Sequence, residues 1–205
     1  MTVLLSAGQL RRAAETALRA GLSTETHGTL DAVAAAETIG LAPIKTWRRL
    51  GDYLNIPEAL SPACYVTTPG TDGELAKAGP GLVRGDWLVR AFFAVQGRDY
   101  EETSDRRDAY LAAARICWYS AFTPGGGFAG LAQGVEWVED DYSAADISDD
   151  DSRWLSVGTI TARLLQVKTA TSIGALAPVG DPNAPTVATV TPTVAYRSPP
   201  LTVPS

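Results

Sequence analysis

The densest group of chemically active side chains is a run of carboxylates at residues 139–151. Seven of the 23 acidic residues in the 205-residue chain fall within these 13 positions. Paired carboxylates can perform acid–base catalysis, and closely spaced oxygen ligands can bind calcium. The run lacks the central glycine and terminal glutamate of the common calcium loop. It therefore favours a solvated surface loop, with a calcium loop and a small hydrolase using Asp140 and Asp149 as alternatives.

Other catalytic and metal-binding patterns are weak. His27 is the only histidine and lies in a polar linker, while Cys64 and Cys117 are the only cysteines. These three residues do not make a four-ligand zinc site without carboxylates, and no Gly-x-Ser-x-Gly elbow presents a nucleophile. The glycines at 125–127 lack the Gly-Lys-Ser/Thr of a phosphate loop. The sequence thus predicts no catalytic residues, no metal and no cofactor, and reduced, buried thiols rather than a disulfide.

Composition disfavours several classes of protein. Apolar residues make up 45% and charged residues 20%, as in ordinary globular proteins, and the net charge is −6. A dedicated nucleic-acid binder or a protein of anionic membrane surfaces needs an excess of lysine and arginine. The uncharged stretch at residues 116–135 contains Pro124 and three consecutive glycines, which a membrane helix does not tolerate. We expect no membrane partner, no sequence-specific nucleic acid, no targeting segment, and synthesis in a reducing cytoplasm.

The periodicity of apolar residues predicts the elements that position these side chains. Helical spacing predicts three helices, at residues 6–21, 29–39 and 100–121. Ser6 and Gly21 are the predicted caps of the first, and Asp99 or Ser104 caps the third. Alternation predicts five strands, at residues 44–50, 63–68, 87–96, 135–142 and 154–169. A Gly- and Pro-rich loop is expected at 69–85 and an acidic loop at 143–152.

Elements grouped in blocks, rather than strictly alternating, predict an α+β fold. We expect a mostly antiparallel four- to five-stranded sheet with helices packed on one face. Seven of the 13 prolines fall between Pro178 and Pro204, where no core pattern survives. We therefore predict a single domain at residues 1–172. Residues 173–205 are predicted to be an extended or disordered arm that orders only against a neighbour.

One aromatic residue among basic residues predicts a protein contact. Trp47 lies on the predicted edge strand and is flanked by Lys45 and two arginines. A large aromatic in this setting is a candidate contact anchor, and a core position is the alternative. Four arginines are also candidate interface residues: Arg48, Arg49, Arg106 and Arg107.

The order of these elements and several of their sequences resemble a known family. The resembling features are the N-terminal helix, residues 47–53 and 62–66, the strand at 86–95, the helix at 100–118 with its Arg-Arg-Asp, and the closing strands. Over about residues 5–170 the chain resembles the tail-terminator (tail-completion) proteins of long-tailed phages, particularly phages of actinobacterial hosts. The resemblance implies a virion protein of the tail or neck, assembled in the host cytoplasm. Such a protein forms a homo-hexameric ring on the tail tube, stops tube polymerisation, offers a surface to the head connector and has no catalytic residues.

Two segments depart from the compact family pattern, namely the Ala-rich residues 23–42 and the Pro-rich arm. A head-completion or stopper protein, or another neck adaptor, therefore remains an alternative. DNA must pass through a ring at the neck, and an acidic lining repels it over a Debye length of about 8 Å. We predict that the acidic residues face the lumen or its rim, and that the arginines face protein neighbours. The acidic residues are Asp140, Asp141, Asp146, Asp149, Asp150 and Asp151.

Overall fold

The computed structural model describes residues 3–4, 6–47, 61–122, 128, 130–143, 146–147 and 153–171. Its helices are α1 (Ala7–Leu22), α2 (Gly28–Glu37) and α3 (Tyr100–Ser120). Its strands are β1 (Ala63–Gly79), β2 (Leu82–Gly97), β3 (Gly134–Tyr142), β4 (Asp146–Ile147) and β5 (Trp154–Ala170). They form one antiparallel sheet in the order β1-β2-β5-β3, with β4 paired to the start of β5. The predicted α+β class is confirmed, and the predicted arm lies outside the described residues.

Alternation along β2 decides which face of the sheet the helices cover. Val89, Ala91 and Phe93 are fully buried in the main core, whereas the residues between them point to the opposite face. Phe93 stacks with Tyr110 of α3, with ring centroids 6.2 Å apart. The indole N–H of Trp118, also on α3, donates to the Ala14 carbonyl of α1 at 3.1 Å. Both helices are thereby fixed on the same side of the sheet.

The third helix begins where one of the two predicted caps stands. Asp99 is the N-cap, and its Oδ1 accepts a hydrogen bond from the Glu102 backbone N–H at 2.8 Å. The Glu102 carboxylate in turn accepts from the backbone N–H of Arg98 at 2.8 Å. This backbone hydrogen bond, with the Arg98 side chain, lowers the pKa of Glu102. The Asp99 alternative is confirmed, and Ser104 lies within the helix.

The predicted C-terminal cap of α1 is wrong for a packing reason. The helix continues through Gly21 to Leu22, and Ser23 is the C-cap. Gly21 is buried where α1 approaches its neighbours, since an added Cβ would lie 2.5 Å from the Cys117 Sγ and 2.6 Å from the Thr29 Oγ1. The glycine is therefore required by close approach of elements. Ser6 does occupy the predicted N-cap position, although its side chain makes no capping hydrogen bond.

The predicted loop at residues 69–85 is also wrong, because β1 and β2 continue through it as a long hairpin. The pairing of the two strands shifts register between Thr67 and Gly70 and again between Asp72 and Ala76. Gly70 and Gly73 have positive φ angles of 146° and 82°. The residues that indicated a turn thus form irregularities in an outer strand, where proline and glycine are tolerated.

The predicted edge strand at 44–50 does not form in its described part. Ile44 and Thr46 make only isolated parallel bridges, to Ser23 and Ala63 respectively. The Ile44 N–H donates to the Leu22 carbonyl at 2.8 Å. Because the segment crosses from the end of α1 to the start of β1, it has no single partner strand with which to form a ladder.

Candidate assembly surface

The two arginines predicted on α3 lie in different environments. The guanidinium of Arg107 donates to the Ser156 Oγ and to the Ser143 carbonyl, both at 3.0 Å, and lies over the Tyr142 ring at 4.7 Å. Arg107 is only 9% exposed. Its hydrogen bonds tie α3 to the residue after the end of β3 and to the start of β5. This corrects the prediction that Arg107 faces a neighbouring protein, because its guanidinium is hydrogen-bonded within its own chain.

The neighbouring Arg106 remains accessible. Its side chain is 31% exposed and pairs with Glu102 at 2.8 Å, while it also donates to the Gln96 carbonyl at 3.1 Å. It lines a cavity of about 350 Å³ together with Lys45 and Tyr110. Burial raises the pKa of Tyr110, whose hydroxyl donates to the Ala42 carbonyl, so this phenol stays protonated. Lys45 and Arg106 thus place basic groups in the cavity wall, and the Glu102 carboxylate balances the charge of Arg106.

Trp47 lies at the margin of the core, and its role as a contact anchor stays a prediction. It is partly buried and packs against the main core, and the Arg19 guanidinium lies 4.6 Å from its ring centroid. The adjacent candidates Arg48 and Arg49 lie outside the described residues. Trp47 is therefore held by α1 through a cation–π contact while part of its ring remains accessible.

The acidic run extends over two elements. Asp140 and Asp141 lie on β3, and Asp146 lies on β4. The remaining members of the run, Asp149, Asp150 and Asp151, lie outside the described residues. Asp140 forms an ion pair with Arg115 of α3, on the side of the sheet that carries the helices. This ion pair joins β3 to α3 within the chain.

Ion pairs that the sequence analysis missed cross the opposite face of the sheet. Arg90 on β2 donates to Glu139 on β3 at 2.6 Å and to Thr161 on the intervening β5 at 2.9 Å. Arg163 on β5 pairs with Glu136 at 3.2 Å and with Asp72. Only the register of an assembled sheet brings these charges together, since the paired residues are far apart in sequence. They hold the four strands in alignment on a face where no described helix packs.

The outer strand β3 presents exposed aromatic and apolar side chains beside its carboxylates. Trp137 is 40% exposed, Val138 is 42% exposed and Tyr142 is 46% exposed. Trp137 is held in place because its ring stacks on Trp118 of α3, with centroids 6.3 Å apart and planes within 11°. Tyr119 of α3 is 66% exposed and lines the same cavity as the first residues of β3. We define the β3 edge surface as the edge of Gly134–Tyr142 that faces away from β5, together with the exposed side chains of Tyr119, Trp137, Val138 and Tyr142.

The two thiols belong to the core and take no part in this surface. Cys64 and Cys117 are free and buried, which confirms the prediction for both. Burial raises the pKa of each thiol, most strongly for Cys64. Both side chains therefore stay protonated and unreactive at neutral pH.

Within the described ranges, histidine, cysteine and carboxylate side chains form no group of three able to hold a metal ion. His27 lies at the start of α2, with its Nε2 3.6 Å from Asp31. Among the described residues, no helix is long and apolar enough to span a bilayer. Comparison with models of known protein families, and with curated proteins, found no match to this chain.

Proposed function

We propose that this protein is a structural virion protein that caps the tail tube at the neck of a long-tailed phage. In this role it forms a homo-hexameric ring, stops tube polymerisation and joins the tail to the head connector or stopper protein. The observation that carries the proposal is the β3 edge surface. Exposed Trp137 and Tyr142 on an outer strand are the kind of anchors found at protein interfaces.

The architecture of the subunit supports assembly into a ring. The sheet ends in two different outer strands, β1 and β3, so one subunit offers unlike surfaces at its two edges. Contacts between unlike surfaces are heterologous, and they generate a ring when the rotation between neighbours closes. The order of the described helices and strands also agrees with the order on which the resemblance to tail terminators rests.

The acidic run would line the channel through which DNA passes in the proposed ring. In the proposed ring it faces the lumen or its rim, where its negative charge lowers the affinity for the phosphate backbone. Changing Asp149, Asp150 and Asp151 together to asparagine should leave ring formation intact and increase retention of duplex DNA at low salt. The matched control also removes three carboxylates, by changing Glu25, which precedes α2, and Asp31 and Glu37 on α2 to their amides. Equal retention by both variants would contradict the lumen placement.

Native mass spectrometry and electron microscopy of the purified protein, alone and mixed with tail tubes, test this function. We expect six-fold rings, either free or formed only on one end of the tubes. A protein that binds the head connector but not the tube would support the stopper alternative instead. A monomer that binds neither, or turnover of a substrate in the presence of a divalent metal, would contradict the proposal.

A further inference from the structure

The β3 edge surface has the properties of a template for an added strand. Among the described residues, β3 pairs only with β5, so its outer backbone N–H and C=O groups have no strand partner there. The register with β5 shifts between Trp137 and Glu139, which separates the strand into two short halves. Extended peptides bind such edges by adding a strand, with affinity from the backbone and specificity from alternate side chains.

The second half of the edge has one carboxylate that no described cation neutralises. Glu139 pairs with Arg90, and Asp140 pairs with Arg115. Asp141 accepts a hydrogen bond from the backbone N–H of Tyr142 at 2.8 Å, and no ion pair joins it to a described arginine or lysine. Opposite charges on facing positions of neighbouring strands attract, so this half of the edge favours a strand that carries a cation.

The arm of the chain contains a segment with the matching chemistry. Residues 193–197 read Thr-Val-Ala-Tyr-Arg, lie between Pro192 and Pro199, and contain β-branched and aromatic residues. Arg197 is the only cation between residue 172 and the end of the chain. Proline cannot donate to a ladder, so the flanking prolines restrict pairing to a short stretch at an edge.

The position at which the described chain ends, together with the length of the arm, places the β3 edge of another copy within reach. The backbone N–H of Thr171 donates to the Gly81 carbonyl at 2.8 Å, at the far end of the sheet. Leu4 pairs with β5 past the point where its pairing with β3 ends. The Leu4 backbone forms hydrogen bonds of 2.8 Å with the backbone of Lys168 and of Ala170. Along β5, Leu4 therefore lies between the start of the arm and the β3 strand of the same chain. About 22 residues separate Thr171 from Thr193, a reach of roughly 70 Å in extended form, whereas a folded subunit is only about 40 Å wide.

We propose that residues 193–197 of one copy add as a parallel strand to the β3 edge surface of a second copy, with Arg197 facing Asp141 and Val194 beside Val138. The inference rests on the proposed function in that it requires neighbouring copies. The added strand links neighbouring copies and gives the Pro-rich arm a role in assembly.

Cross-linking between two differently substituted chains tests this proposal. One full-length chain carries Val138→Cys and the other carries Val194→Cys, and they are mixed with a short bifunctional thiol reagent. Cys64 and Cys117 are buried and contribute little background. We expect a product of dimer mass only when both variants are present, and little product when Val179→Cys replaces Val194→Cys. No such product, or cross-linking only within one chain of a Val138→Cys, Val194→Cys double variant, would overturn the proposal.

A charge exchange provides a second measurement that does not depend on the introduced thiols. Arg197→Glu should weaken association between copies by about fivefold, and Asp141→Arg in the partner copy should restore it. An equal loss in the exchanged pair would contradict the contact. If chains ending at Thr171 form rings as readily as the full chain, this inference fails while the proposed function stands. If the full chain forms no ring, alone or on tubes, the proposed function fails.

Discussion

Replacing Arg107 by methionine should destabilise the subunit by about 2–3 kcal/mol. The hydrogen bond from its guanidinium to the buried Ser156 Oγ accounts for most of the loss, because bonds to charged groups contribute about 1.5–3 kcal/mol. The bond to the Ser143 carbonyl and the contact with the Tyr142 ring add smaller amounts. The partner Asp108 is 54% exposed, so that ion pair adds almost nothing. Methionine is uncharged, so the variant no longer has to desolvate a guanidinium on folding, and this offsets part of the loss.

Urea unfolding followed by tryptophan fluorescence measures this loss, and Arg106→Met is the matched control. Both arginines lie in the same turn of α3, and methionine is a good helix former at either position. Arg106 makes a more exposed ion pair and one part-buried hydrogen bond, to the Gln96 carbonyl, so its substitution should cost about 1 kcal/mol, less than that of Arg107. For a domain of this size the Arg107 loss corresponds to about 5–10 °C in Tm. A loss no larger than that of the control would refute the assignment of Arg107 to the interior.

Three further predictions concern packing, the thiols and the arm. Gly21→Ala should lower the free energy of unfolding by about 1–3 kcal/mol, because the added Cβ would meet the Cys117 Sγ. Gly28→Ala is the control, because open space surrounds that residue, and equal urea midpoints for the two variants would contradict the prediction. Cys64 and Cys117 should react with a thiol reagent only on unfolding, so rapid labelling of the native protein would contradict their burial. Truncation after Thr171 should leave the Tm of the isolated subunit nearly unchanged and weaken assembly; a large fall in Tm would show that the arm belongs to the fold.

The sequence was sufficient to predict the elements with uninterrupted periodicity. The alternation around Val89 to Phe93 identifies both the strand and the face that the helices cover. The third helix was predicted from its mostly uncharged stretch at residues 109–121, although the sequence left its cap open between Asp99 and Ser104. These features depend on neighbouring residues, and local patterns contain that information.

The errors arose where long-range contacts override local signals. Gly70 and Gly73 indicate a turn by composition, yet pairing with β2 keeps their segment in a strand. Gly21 resembles a helix stop, but the approach of Cys117 explains why it is glycine. The sequence predicted that Arg107 lies at the surface, whereas Ser156 and Ser143 bind it inside the subunit.

The candidate surface was predicted only in part for the same reason. The acidic run was visible in the sequence, but the pairing of its members with Arg90 and Arg115 depends on sheet register and on the position of α3. The exposure of Trp137 was also hidden, because its alternation is that of a core residue. It stacks on Trp118 at the open side of β3, where no further strand is described.

Growth of tail tubes in the presence of the purified protein tests the central claim most directly. Tail tube protein is polymerised with and without this chain, and electron microscopy records tube lengths and tube ends. The proposed function requires shorter tubes, each bearing a six-fold ring at one end, in proportion to the amount of protein added. Tubes of unchanged length with bare ends, under conditions where the protein is folded, would contradict it.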